Sequence, residues 1–110
     1  MVDAVRDKLE PMSSKIHTVQ ELHAETARVC WQELEVHFAR GVVIRVASEV
    51  DLVEVAVDFA NDDRPAVERW ITAGQVEHLG METARDWNER DPELWAVVVA
   101  PWVVVQERVS

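Results

Sequence analysis

The sequence predicts a single α+β domain: a small three-stranded sheet with helices packed on it, in the order helix-strand-helix-helix-strand-helix-strand. Three observations lead there. Residues 94–106 read LWAVVVAPWVVVQ, eleven apolar side chains with one proline and one glutamine, so both faces of this strand must be covered. Two shorter apolar runs, at 42–47 and 75–79, supply further strands. Between them lie four stretches with helical spacing of apolar residues, separated by glycine, proline and aspartate.

Residues 17–110 form the predicted domain, and 1–16 are expected to be weakly structured or a short helix on Val2, Val5 and Leu9 that stops before Pro11. The first firm helix opens at Thr18 and Glu21, which have capping-box spacing. Leu22, Thr26, Cys30, Leu34 and Phe38 then recur every four residues, so the helix is drawn to about residue 39, with Gly41 as its stop. The run VVIRVA at 42–47 is β-branched and reads as the first strand.

Ser48 and Asp51 repeat the cap spacing. Leu52, Val55, Ala56 and Phe59 line a second helix to about residue 61. The turn DDRP at 62–65 places Pro65 in the first turn of a third helix, which carries Val67, Trp70 and Ile71 and ends at Gly74. A short strand at 75–79 follows, then a fourth helix at 82–90 presenting Ala84 and Trp87. The 94–106 strand, the most apolar, belongs in the centre of the sheet. Pro101 cannot donate to a ladder, so a bend is expected there, with 94–100 paired and 102–106 partly exposed or paired elsewhere.

Composition narrows the function. Asp and Glu outnumber Lys and Arg 21 to 11, for a net charge of −10. Five Trp against two Phe and no Tyr would suit a base-stacking platform only beside a basic groove, which this acidic balance disfavours, so no nucleic-acid partner is expected. An acidic mimic of nucleic acid fits the charge sign, but so does plain solubility, which is preferred. The single Cys30 forms no internal disulfide, consistent with a reducing compartment. The N-terminus has no apolar run, and residues 94–105 are too short to span a membrane as a helix. A cytoplasmic protein without membrane contact is expected.

Candidate sites are few. His23, Cys30 and His37 are seven apart, which on one helix separates successive members by about 10 Å, too far to share an ion. His17 with Glu21 and Glu33 with His37 have helical four-spacing, yet two ligands alone make a weak metal site. Asp51, Glu54, Asp58 and Asp62 form one stripe on the second helix. Such carboxylates can hold Mg²⁺ with a phosphate, and are also what the wet face of an amphipathic helix looks like. Arg45 and Glu77 interrupt two apolar strands and can pair if those strands are neighbours. No serine has a nucleophile-elbow context, Cys30 falls on the expected buried face, and three glycines build no phosphate loop. Glu-Thr-Ala-Arg occurs at 25–28 and again at 82–85, but the flanks differ, and the echo reads as coincidence.

Several stretches carry a family resemblance: ETARVCWQEL at 25–34, FARG at 38–41, DLVEVAV at 51–57, AVERWITAGQV at 66–76 and LWAVVVAPWVVVQE at 94–107. With Ala84, Arg85, Asp86 and Trp87 they resemble a bacterial family known as domain of unknown function 2288. The resemblance implies a small stand-alone prokaryotic cytosolic protein and brings no activity, cofactor or catalytic residue.

The sequence therefore points to a non-enzymatic interaction module that works without a cofactor, as a homo-oligomer or with another protein partner. Trp95, Trp102 and Val104 are expected at or near its interface, since aromatic anchors typify such surfaces. The alternative is a small ligand-binding or divalent-metal enzymatic domain that uses Asp51, Glu54, Asp58 and Asp62.

Overall fold

The expected first helix is interrupted. In the computed structural model, which describes residues 18–108, α1 (Val19–Ala24) ends after six residues, β1 (Ala27–Val29) follows, and α2 (Trp31–Ala39) starts anew. The expected N-terminal segment at 1–16 lies outside the described residues. A four-residue repeat overshoots a helical turn by about 40° per step. From Leu22 to Phe38 the stripe therefore winds too far round a cylinder for one face to bury it.

Local chemistry decides where the break falls. Thr26 Oγ1 donates to Leu22 O at 2.9 Å, and the three residues after it find a strand partner. Cys30 becomes the N-cap of α2, with its backbone N–H donating to Glu33 Oε1 at 3.0 Å. Its side chain is exposed, where the repeat had implied burial. His23, Cys30 and His37 accordingly do not share a helix face.

Downstream, the elements keep the expected order: β2 (Val43–Val46), α3 (Leu52–Ala60), α4 (Arg64–Thr72), β3 (Val76–His78) and α5 (Met81–Arg90). Asp51 caps α3, its Oδ1 accepting from the N–H groups of Val53 and Glu54 at 2.9 and 3.4 Å. Ser48 plays no part in that cap and donates to Glu107 O instead. Pro65 sits in the first turn of α4, and Gly74, at φ +75°, ends that helix region in the left-handed conformation that glycine adopts without strain.

The long apolar run is two strands. β4 (Leu94–Val99) and β5 (Trp102–Glu107) form an antiparallel hairpin around Ala100 and Pro101, whose peptide bond is cis. The bend expected at Pro101 is thus a full reversal, and the segment beyond it is buried. Among the described residues, with β1 added, the sheet has five strands in the order β1-β4-β5-β2-β3, where three had been expected, and five helices stand where four had been expected. Only β2–β5 is parallel.

Helices cover both faces of this sheet. On the first face, Leu22 of α1 and Val53, Val55 and Ala56 of α3 pack with Ile44, Val46, Val97, Val99 and Val104, while Phe59, Trp70, Trp95 and Trp102 close the edges. On the second, Trp31 and Leu34 of α2 and Ala84 and Trp87 of α5 pack on Val43, Leu94, Ala96, Val103 and Val105. Trp31 meets Trp87 edge-on, ring centroids 6.5 Å apart, a favoured aromatic geometry. Alternation along β4 sends Trp95, Val97 and Val99 to one face and Leu94, Ala96 and Val98 to the other. That division sets up the surface described next.

Candidate functional site

The described residues do not cover the second face to its end. α2 and α5 lie over Leu94 and reach Ala96, but Val98, one alternation further along β4, is 63% exposed. Around it lies an open trough of about 250 Å³. Its apolar walls come from Ala96 and Val98 of β4, Val103 of β5, Ala27 and Val29 of β1 and Leu34 of α2, and its rim from Glu25, Glu33 and His37. Glu33 and His37 reach it together because they stand one turn apart on α2. A second recess shares Glu25 and Val98 with the trough and continues to Leu22 of α1, Ala60 of α3 and the Val99–Ala100 corner. Apolar surface thus wraps round the end of the sheet, and β1 beside it is an edge strand with a single neighbour, β4.

At the opposite corner, polar side chains converge on one cation. Arg90 grips Asp86 through Nε and Nη2 at 2.8 and 2.6 Å, and Glu107 through Nη1 and Nη2, both at 2.9 Å. Trp87 Nε1 donates to Glu107 Oε1 at 3.2 Å. The guanidinium holds both carboxyls below their ordinary range, and the two carboxylates raise the arginine's own value. Every partner is used within the network, which ties the C-terminal end of α5 to the end of β5. Its role is structural. The Asp86 and Arg90 spacing of four was the readable half of this network; Glu107 is brought in only by the fold.

The acidic stripe does not gather. Asp51 is an N-cap, Asp58 Oδ2 accepts from Trp70 Nε1 at 2.9 Å, and Asp62, in a left-handed conformation, lies 3.8 Å from Arg64. Glu54 is exposed. Among the described residues no group of three or more His, Cys, Asp and Glu is placed to hold a metal ion. Of the four-spaced pairs, His17 lies outside the described residues, and Glu33 with His37 rims the trough. Arg45 does meet Glu77, at 2.8 Å across the antiparallel β2–β3 pair.

The aromatic candidates are distributed differently from the trough. Val104 is fully buried within the chain on the first face. Trp102 is half-buried, edge-on to Phe59 and His78. Trp95 is half-buried beneath the Arg108 guanidinium, 4.9 Å from the ring centroid. Val98, Ala96 and Val29 went unselected. The signal that identifies them is strand alternation read from Leu94, combined with Pro101 as a reversal.

Residues 17–107 match the model of a family described as a protein of unknown function, DUF2288. The chain belongs to this family. Its fold is also that of the NMR solution structure of PA1075 from Pseudomonas aeruginosa, at 47% identity and a TM-score of 0.75, covering 92% of this chain and 94% of that one. Among curated proteins there is no match. The DUF2288 match takes in every described element, from α1 to β5, so the trough and the Arg90 network both lie inside the family region. No helix among the described residues is long and apolar enough to cross a membrane.

Proposed function

We propose that this DUF2288 chain is a protein-interaction module that associates with a second copy of itself through the trough around Val98. The observation that carries the proposal is an apolar sheet end that no described residue covers, on a molecule with net charge −10. Most other apolar side chains of the sheet pack against the chain's own helices. The trough offers aliphatic carbon with three ionisable groups at its rim, a composition suited to docking rather than to bond-making. A second copy fits because a two-fold axis brings one apolar trough and one open β1 edge against the same features of its partner. Trp95, Trp102 and Val104 lie on the first face of the sheet, so this contact does not use them directly.

Light scattering at micromolar concentration tests this. The wild-type mass is expected above that of a monomer, Val98→Asp is expected to be monomeric, and Val36→Asp to leave the mass unchanged. Val36 is as exposed as Val98, at 63%, but lies outside the trough. A strictly monomeric wild type overturns the proposal.

A further inference from the structure

On the first face of the sheet, away from the trough, a cleft of about 440 Å³ lies between the start of α3 and the ends of β4 and β5. Its volume falls within the range of small-molecule sites, roughly 300–1,000 Å³. Gln106, His23, Thr26, Asp51, Trp95 and Arg108 bring polar or aromatic groups to it.

Gln106 is the reason to take this cleft as a site. It is the one polar or charged side chain buried among the described residues, at 5% exposure. Its Nε2 donates to Ala47 O at 2.7 Å and also to Val50 O, which uses both N–H bonds. No donor among the described residues reaches its Oε1. A buried carbonyl without a donor is unfavourable, and native structures seldom keep one without a use.

Two further groups there have unused capacity. Asp51 spends Oδ1 on the α3 cap, and among the described residues nothing donates to Oδ2. The Arg108 side chain lies over Trp95 and has no carboxylate partner among the described residues. Trp95 is held in turn by its Nε1 bond to Glu93 Oε2 at 2.7 Å. The cleft therefore combines two waiting acceptors with one waiting cation, and His23 adds a donor beside it.

We infer that this cleft binds a small zwitterion of the free α-amino acid type. Its ammonium donates to Gln106 Oε1 and Asp51 Oδ2, its carboxylate meets Arg108, and its side chain lies against Trp95. Such a ligand answers the acceptors and the cation together, whereas a simple anion would face the Asp51 carboxylate. The site shares no lining residue with the trough and stands independently of self-association.

The test is an NMR titration of the ¹⁵N-labelled chain with each standard L-amino acid, together with the methyl ester and N-acetyl form of any that binds. At least one amino acid is expected to shift the Gln106 side-chain amide and the Trp95 indole signals below about 10 mM, and each blocked form to bind about tenfold more weakly or worse. Asp51→Asn retains a cap of equal quality, so it and Arg108→Ala are expected to keep the fold and weaken binding by about tenfold or more. Absence of shifts at those two signals, equal binding of a blocked form, or wild-type affinity in either variant overturns the inference.

Discussion

Arg90 holds two carboxylates at once, Asp86 one turn earlier in α5 and Glu107 at the end of β5. Both acids are depressed, so their contribution to stability is complete above the ordinary carboxylate values and disappears as pH falls through the lowered ones. Thermal melts of wild type and Arg90→Gln should therefore differ at neutral pH, and the difference should narrow below about pH 4. An unchanged gap in strong acid would show that the arginine acts by packing alone. Beside it, Trp87 is 1% exposed and packs edge-on with Trp31. Trp87→Ala is expected to lower stability by about 3–5 kcal/mol, read from urea denaturation. The burial of Trp87 was readable from helix periodicity with Ala84, but its bond to Glu107 was not. Residues twenty apart meet only once α5 and β5 lie side by side.

Elements show where local sequence is decisive and where it is ambiguous. Glu-Thr-Ala-Arg at 82–85 lies inside α5, while the same four residues at 25–28 carry the chain out of α1 and into β1. The second copy continues to Trp87 under a helical pattern. The first meets Val29 and Cys30, and strand pairing of Ala27 with Ala96 outweighs the helical alternative. No rule confined to a short window separates these cases. Caps and stops were more legible. The Ser48 and Asp51 spacing put a cap near the start of α3, but Asp51 itself is that cap and Ser48 is not; Asp51→Ala should cost about 1 kcal/mol, against near-neutrality for Asp51→Asn. Gly74 lies at φ +75° with nothing within 4 Å of where a Cβ would stand. The effect of Gly74→Ala is therefore backbone strain alone, about 1–2 kcal/mol by chemical denaturation. Pro101 was read correctly as an interruption, yet an interruption does not say whether the chain bends or reverses. That one ambiguity hid the hairpin, and with it the face on which Val98 lies.

For the whole molecule, charge and topology matter most. At a net charge of −10, two copies repel, and the trough's own rim adds Glu25 and Glu33 to each side. Added salt screens that repulsion while leaving apolar contact intact, so self-association should tighten as NaCl rises from about 0.05 to 0.5 M. Sedimentation at several salt concentrations checks this, and weakening with salt would point to an ionic interface instead. The α+β class and the order of most elements were legible because each depends on nearby residues; the strand order was not, since it depends on pairings sixty or more residues apart, such as Ala27 with Ala96 and Val43 with Val103. That last pairing governs when the domain can form. β5 lies between β4 and β2, so until Trp102 to Glu107 have been made, β1–β4 and β2–β3 are two separate ribbons with no strand to join them. A nascent chain on the ribosome must therefore carry the elements from α1 to β4 in an uncommitted state, exposed to chaperones, and close its core only when the central strand emerges.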